Sequence, residues 1–300
     1  MKKLILSGAT GFLGSNIIRK AVNSGDFEIV AITSKPERLS SISSSPITAL
    51  DTQAFLAGDN RFDGEDVFVN CLFPTNADGY RMADGLSKVF GMIEAASKSG
   101  VGTLINISSQ SVYYSKREDA ATEDSPLCPE SPYAVGKVAS ELFCTSAFRG
   151  LPHTNLRLAS MLGVGYDQRI VNRMVLQALR GEDLKIVGGM QRYGFLDVRD
   201  AAAGIICAAQ SPQKLTQEAY NLGCMECYTL LELVEGIVKG MKKLVGMDVR
   251  YYVTEGQDKR NSALDAGKFM ATFDWKPQIG IQQTVEDIIL DLIKKVGKET

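Results

Sequence analysis

Histidine is nearly absent from this chain: His153 is the one copy in 300 residues. A metal site built from two or three imidazoles of one chain is therefore excluded. Acid–base chemistry near neutrality has to come from other side chains. An excess of charge of either sign is also missing, with 33 Lys and Arg against 35 Asp and Glu for a net charge of −2. Nucleic-acid affinity rests largely on surplus Lys and Arg, so a polyanion-binding surface is not expected. No apolar run approaches the ~20 residues that span a bilayer. The longest, Ala201 to Ala209, is broken by Gly204. The opening MKKLIL has the charges of a signal-peptide start, but Ser7, Gly8, Thr10 and Gly11 interrupt it after three apolar residues, and it reads as a strand. The expectation is a cytoplasmic protein with no membrane partner, in which the sequon Asn106-Ile107-Ser108 has no consequence.

Cysteine is sparse. Cys71, Cys128, Cys144, Cys207, Cys224 and Cys227 are spread through a chain too long to need staples and read as reduced, mostly buried thiols. Only Cys224-x-x-Cys227 has a suggestive spacing. A zinc site would want a second pair, and a redox motif a helix starting after the first Cys; neither is evident. No internal repeat, long linker or low-complexity tract occurs beyond the run Ser40 to Ser45.

What is present is an alternation of apolar runs and helical patterns through the first half, the pattern of repeated βαβ units and a parallel sheet. Strands are expected at Leu4 to Leu6, Glu28 to Ile32, Ile47 to Leu50, Val67 to Leu72 and Thr103 to Ile107. Leu13, Ile17, Ile18, Ala21 and Val22 keep helical spacing until Gly25, and Leu86, Val89, Phe90 and Ile93 do so before Gly100. Thr33 to Pro46 reads as a loop or a short helix. Ser131-Pro132 is a capping hydroxyl followed by proline at the first helical position. In the helix it opens, Val135, Val138, Ala139 and Leu142 share one side, expected to pack, while Tyr133 and Lys137 share the opposite one, expected to be free for chemistry. Further helices are expected at Ile170 to Leu179, Ala201 to Ala209, Leu230 to Met241 and Val285 to Val296, with a strand near Tyr220 to Leu222.

Three groups of residues carry chemistry. Gly8-Ala9-Thr10-Gly11-Phe12-Leu13-Gly14 places glycines between a strand and a helix, where the backbone can turn tightly and bring helix N-terminal amides to a pyrophosphate. Gly8, Thr10, Gly11, Phe12, Leu13 and Gly14 are thus candidate dinucleotide-binding residues. The second group follows the second strand. NAD binders usually put an acidic residue there for the ribose 2′-hydroxyl. Thr33, Ser34, Lys35 and Arg38 stand in that place instead, a hydroxyl and cations that favour the 2′-phosphate of NADP over NAD. Asp51, after the third strand, is placed to meet the adenine, although a loop-capping Asp would look the same. The third group is Ser109 with Tyr133-x-x-x-Lys137. The i, i+4 spacing puts phenol and ammonium on one helical face, so that the cation can favour the phenolate. Such a Tyr can give a proton to a substrate oxygen as hydride arrives, or take it in reverse.

These residues, with the longer matches LINISSQSVYY (Leu104 to Tyr114), SPYAVGKVASE (Ser131 to Glu141), TNLRLASMLGVG (Thr154 to Gly165) and YGFLDVRDAAAGI (Tyr193 to Ile205), resemble the extended short-chain dehydrogenase/reductase family, the NAD(P)-dependent epimerase/dehydratase group. The resemblance continues through AYNLGCMECYTLLEL (Ala219 to Leu233) and LDAGKFMATFDWKP (Leu264 to Pro277), and so covers essentially the whole chain. It implies an α/β fold: a Rossmann-type doubly wound parallel sheet with a smaller, interwoven C-terminal substrate domain. The expected division is residues 1–160 with roughly 193–222 for the dinucleotide, and roughly 161–192 with 223–300 for the substrate. The resemblance also implies that Ser109 and Tyr133 hold the reacting oxygen, that Lys137 binds the nicotinamide ribose, and that Gln110, Ser160 and Arg192 meet the substrate.

Departures from the family pattern narrow the reaction. The 4,6-dehydratases carry Thr-Asp-Glu where this chain has Ser109-Gln110-Ser111, which removes the acid and base of water elimination. Arg192 falls one residue before the family's phosphate-binding arginine, whose place is Tyr193. Asp197, Ser160 and Asp84 replace a His and two Asn, and the CLFPTN loop lacks the usual small-residue turn. The expected activity is NADPH-dependent reduction of a 4-keto nucleotide sugar, with nucleotide-sugar epimerisation as the alternative and a non-catalytic dinucleotide sensor as a third reading. The family further implies a homodimer paired through the Tyr133 helix and the helix bearing Leu86, Val89, Phe90 and Ile93.

Overall fold

The computed structural model describes residues 1–75, 78–216 and 218–296. The first half runs β1 (Lys3–Ser7), α1 (Phe12–Ser24), β2 (Glu28–Ile32), β3 (Thr48–Leu50), α2 (Thr52–Leu56), β4 (Val67–Asn70), α3 (Gly79–Ser99), β5 (Thr103–Ser109), α4 (Pro132–Ala147) and β6 (His153–Leu158). The second half runs β7 (Ser160–Leu162), α5 (Ile170–Leu179), β8 (Leu184–Val187), β9 (Arg192–Tyr193), β10 (Phe195–Asp197), α6 (Val198–Gln210) and β11 (Ala219–Leu222), then β12 (Tyr228–Thr229), α7 (Leu230–Val245), β13 (Tyr251–Thr254), α8 (Gly267–Phe273) and α9 (Ile281–Val296).

Seven strands form one sheet in the order β11-β6-β5-β4-β1-β2-β3, every neighbouring pair parallel. Parallel strands buried on both faces need near-continuous apolar runs, and Leu4, Ile5, Leu6, Val67, Phe68 and Val69 are all fully buried. The strand order reverses between β1 and β4. In open α/β sheets a crevice forms at the carboxyl ends of the strands at that reversal. The glycine turn after β1 and the segment after β4 flank it here.

Register across the sheet is pinned by a buried polar ladder. Ser7 donates to Asn70 Oδ1 (2.7 Å), Asn70 to Asn106 Oδ1 (2.9 Å), Asn106 to Asn155 Oδ1 (2.8 Å), and Asn155 to the Glu218 carbonyl (2.9 Å). These side chains are directly opposed in the β1–β4–β5–β6 register. A one-residue slip would bury unpaired amides, which costs more than the bonds themselves gain.

A second apolar core lies beyond the sheet, where Val171, Val175, Leu233, Val234, Ile237, Ile288 and Ile289 pack α5, α7 and α9 together. Three two-stranded pairings, β10–β7, β12–β9 and β13–β8, border it. No helix among the described residues is long and apolar enough to cross a membrane.

The helix starts follow their local chemistry. Ser131 accepts from the Ala134 amide (3.2 Å) ahead of Pro132, and Thr229 with Glu232 forms a reciprocal capping box on α7. Thr33 to Pro46 contains a 3-10 helix, Pro36–Ser41. One expectation is corrected in part: of the α4 stripe expected to pack, Val138 lies against the core but Val135 and Leu142 do not. Val135 and Leu142 are 53% and 68% exposed, while Lys137, Ser140 and Glu141 are buried. Periodicity identifies the stripes but not which one faces inward. The polar stripe can face inward because each of its groups is paired within the fold.

Candidate functional site

The glycine turn is built by close backbone approach. Gly8 has φ +64°, and a Cβ there would come within 3.1 Å of backbone atoms of Cys71 and Leu72. A Cβ on Gly14 would lie 2.3 Å from the Gly8 carbonyl oxygen, so α1 could not start so close to β1 with any other residue. The Gly11 amide donates to that carbonyl (3.0 Å), and α1 has neither a side-chain cap nor an acidic residue in its first turn. Its leading amides therefore present uncompensated positive charge to an anion. This arrangement fits the pyrophosphate of a dinucleotide.

Around it lie the residues after β2. The Thr10 and Thr33 hydroxyls are 3.0 Å apart, and Thr33 Oγ1 also accepts the Lys35 amide (3.0 Å), which ties the glycine turn to the end of β2. Thr33 is buried; Ser34, Lys35 and Arg38 are exposed, and neither cation has an ion-pair partner among the described residues. Asp51 Oδ1 accepts from the Gln53 and Ala54 amides (2.8 and 3.1 Å) and so caps α2.

A cleft of 920 Å³ extends from the glycine turn past the ends of β5 and β6 to the start of α5. Ser109, at the end of β5, Tyr133 and Lys137, on α4, all line it, together with Gln110 and Ser160. The Ser109 hydroxyl faces the Tyr133 phenol and acts on its protonation, and Ser109 Oγ accepts from both the amide and the hydroxyl of Ser111 (3.2 and 3.0 Å). Lys137 donates to the Ile107 carbonyl (2.7 Å). Burial lowers its pKa to about 7, against the opposing influence of Cys71 and Glu141. The Cys71 thiol, also in the cleft, is pushed up to about 12 by its own burial, which favours its neutral form.

The expected lowering of the Tyr133 phenol by Lys137 is not what the structure carries. Burial pushes the phenol up, and the groups pulling it back are the Ser109 hydroxyl and the Arg169 guanidinium. Lys137 Nζ lies 5.6 Å from the Tyr133 ring centre, committed to Ile107.

Sequence reasoning missed Arg169, Tyr166 and Phe73. Arg169 lines the cleft with its guanidinium 4.8 Å above the Tyr166 ring, which in turn packs on Phe12 at the start of α1, with centroids 4.6 Å apart and the rings tilted by 37°. Its Nε is buried with no hydrogen-bond partner among the described residues. A signal was available: Arg169 occupies the N-cap of α5, where the helix dipole disfavours a cation and no capping oxygen is supplied. Arg192, by contrast, is not a cleft residue. It is exposed on β9, its charge acting on Glu232 of α7. His153 is also outside the cleft, with Nδ1 2.8 Å from the Leu151 carbonyl oxygen.

Residues 4–223 match the sequence profile of the NAD dependent epimerase/dehydratase family. Over 313 aligned positions the chain is 26% identical to a dTDP-glucose 4,6-dehydratase of Streptomyces niveus, covering 95% of this chain and 92% of the relative. It is 24% identical to a UDP-glucose 4-epimerase of Lactobacillus helveticus, covering 96% and 95%. Among solved structures, the UDP-glucuronic acid 4-epimerase of Bacillus cereus in complex with NAD superposes with a TM-score of 0.82 at 20% identity, over 98% of this chain and 99% of that one. The UDP-N-acetylglucosamine 4-epimerase of Methanobrevibacter ruminantium does so with the same score, identity and coverage. At that identity the superpositions speak for the fold.

Proposed function

The chain belongs to the NAD dependent epimerase/dehydratase family, and from that premise we propose that it epimerises a hydroxyl-bearing carbon of a nucleotide sugar. The observation that carries this reading is the meeting of Ser109, Tyr133 and Lys137 beside the glycine turn, in a cleft whose lining, among the described residues, contains no carboxylate. Water elimination needs an acid and a base in addition to the tyrosine, so the dehydratase chemistry named for several relatives has no residues to perform it here.

The residues that would hold the cofactor are Gly8, Thr10, Gly11, Phe12, Leu13 and Gly14 at the pyrophosphate, Thr33, Ser34, Lys35, Arg38 and Asp51 at the adenosine end, and Lys137 at the nicotinamide ribose. The nicotinamide supplies reversible hydride acceptance. Tyr133 takes the proton of the substrate hydroxyl and returns it. Ser109 holds the oxygen in line with Tyr133, and Arg169 holds an anionic part of the substrate, its guanidinium fixed over Tyr166. Gln110 and Ser160 line the same cleft. The core of α5, α7 and α9 is assigned to the substrate side, with the division at 161–192 and 223–300.

A second reading, net reduction of a keto sugar by NADPH, is favoured by Lys35 and Arg38, exposed cations that could receive a 2′-phosphate. NMR of the protein with NAD or NADP and a panel of UDP- and dTDP-hexoses separates the two. Interconversion of isomers without net change in the nicotinamide supports epimerisation; stoichiometric NADPH consumption with a 4-keto sugar supports reduction. The exposed Val135 and Leu142, beside α3, support a homodimer closed through these two helices. A monomeric mass in solution would contradict it.

A further inference from the structure

Phe73 follows β4 by three residues, and contacts on either side of it hold the backbone at residues 73 and 74 in place. Pro74 packs so closely on α3 that a Cβ on Gly85 would lie 2.4 Å from Pro74 Cβ. The Phe73 ring is seated against α4 at Gly136, where an added Cβ would come within 3.2 Å of its Cζ. From that seat the ring meets Tyr133 edge-on, with centroids 5.2 Å apart at 80°. Its centroid is 3.7 Å from Lys137 Nζ, well inside the ~6 Å within which an aromatic face attracts a cation.

An ammonium has three N–H groups. Among the described residues, the hydrogen-bond acceptor for Lys137 Nζ is the Ile107 carbonyl, and the Phe73 ring, which lines the same cleft as Lys137, stands 3.7 Å from that nitrogen. A ribose diol that hydrogen-bonds to Lys137 needs N–H groups on the cleft side. A phenyl ring at 3.7 Å and a pair of hydroxyls cannot share that side. We propose that Phe73 controls cofactor access: its ring and the nicotinamide ribose compete for Lys137, and dinucleotide binding requires the side chain to rotate off its seat on Gly136. With Pro74 anchored on α3, the movement is a side-chain rotation and not a loop displacement. The inference rests on the dinucleotide reading of the cleft proposed above.

Calorimetric titration with NAD and with NADP at pH 6, where Lys137 carries its proton, tests it in the wild-type protein and in Phe73→Ala and Phe73→Leu. The leucine keeps apolar volume but lacks an aromatic face, so it decides the matter should the alanine variant fail to fold. The expected result is a Kd about tenfold lower in Phe73→Ala and about threefold lower in Phe73→Leu, the scale of a desolvated cation–π contact. Lys137 should also be modified faster by an amine-specific acylating reagent in both variants, as read by peptide mass mapping. A Kd that is unchanged or raised in the folded variants, or unchanged Lys137 labelling, overturns the proposal and leaves the dinucleotide reading standing. A wild-type protein that binds neither dinucleotide overturns both.

Discussion

Arg157 and Glu141 form an ion pair inside the protein, Nη2 to Oε2 2.8 Å, with the two side chains 8% and 6% exposed. Arg157 Nε adds a second contact to the same carboxylate (3.1 Å), and Arg157 Nη1 donates to Tyr113 Oη (2.9 Å). Tyr113 passes the chain on to Asn221 (2.8 Å), while Glu141 accepts from the Ser108 hydroxyl. Glu141 lies one helical turn beyond Lys137, and Ser108 adjoins Ser109. The Arg157–Glu141 pair thus ties α4 to β6, and the bond from Ser108 to the same carboxylate ties α4 to the end of β5, which holds Tyr133 and Ser109 on facing elements.

Removing one partner leaves a buried charge uncompensated, which costs about 3–5 kcal/mol. Glu141→Leu and Arg157→Met should each lower stability by that amount in urea denaturation. The double variant should be less destabilised than the sum of the two, because no lone charge is left behind. Additive losses would contradict this.

Lys137 makes stability depend on pH in a defined direction. Its pKa is lowered by burial from 10.5 to about 7 in the folded chain. Between those values the unfolded chain holds a proton that the folded chain does not, so this group makes folding more favourable as pH rises from about 7 towards 10.5. Below about 7 the full cost of burying the cation is borne. Lys137→Met has no such dependence. The stability difference, wild type minus variant, should therefore grow with pH across that window; a flat or falling difference would contradict it.

Arg169 and Arg192 give opposite expectations. Arg169→Met keeps an apolar stem over Tyr166 but loses the charge, so KM for the nucleotide sugar should rise about tenfold to a hundredfold, the scale of one charged hydrogen bond, with little change in dinucleotide Kd. Arg192→Met should leave KM within about twofold, since Arg192 lies outside the cleft. The reverse pattern would restore Arg192 as the substrate ligand.

Features that depend on residues near in sequence could be read from the sequence. Gly8 to Gly14 sit between a strand and a helix, and Tyr133 and Lys137 are one turn apart, so neither needs a tertiary partner to be recognised. The inward face of α4 could not be read, because Val135 and Leu142 look like core until Lys137 and Glu141 are seen to have Ile107, Ser108 and Arg157 as partners. Arg169 and Phe73 reach the site from segments with no motif of their own. The short strands β7, β9, β10 and β12, of two or three residues, are below the length at which alternation can be detected. The Asn70, Asn106 and Asn155 ladder reads as ordinary polar residues until the strands are laid side by side.

The most direct test of the chemistry is Tyr133→Phe. The substitution removes one hydroxyl and keeps the ring that packs against Phe73. Turnover of the nucleotide sugar identified by the panel should fall by about a hundredfold to ten-thousandfold, the usual contribution of a positioned acid–base group, with dinucleotide Kd and thermal stability close to wild type. Turnover within a few-fold of wild type would contradict Tyr133 as the proton-transferring residue, and with it the function proposed for the cleft.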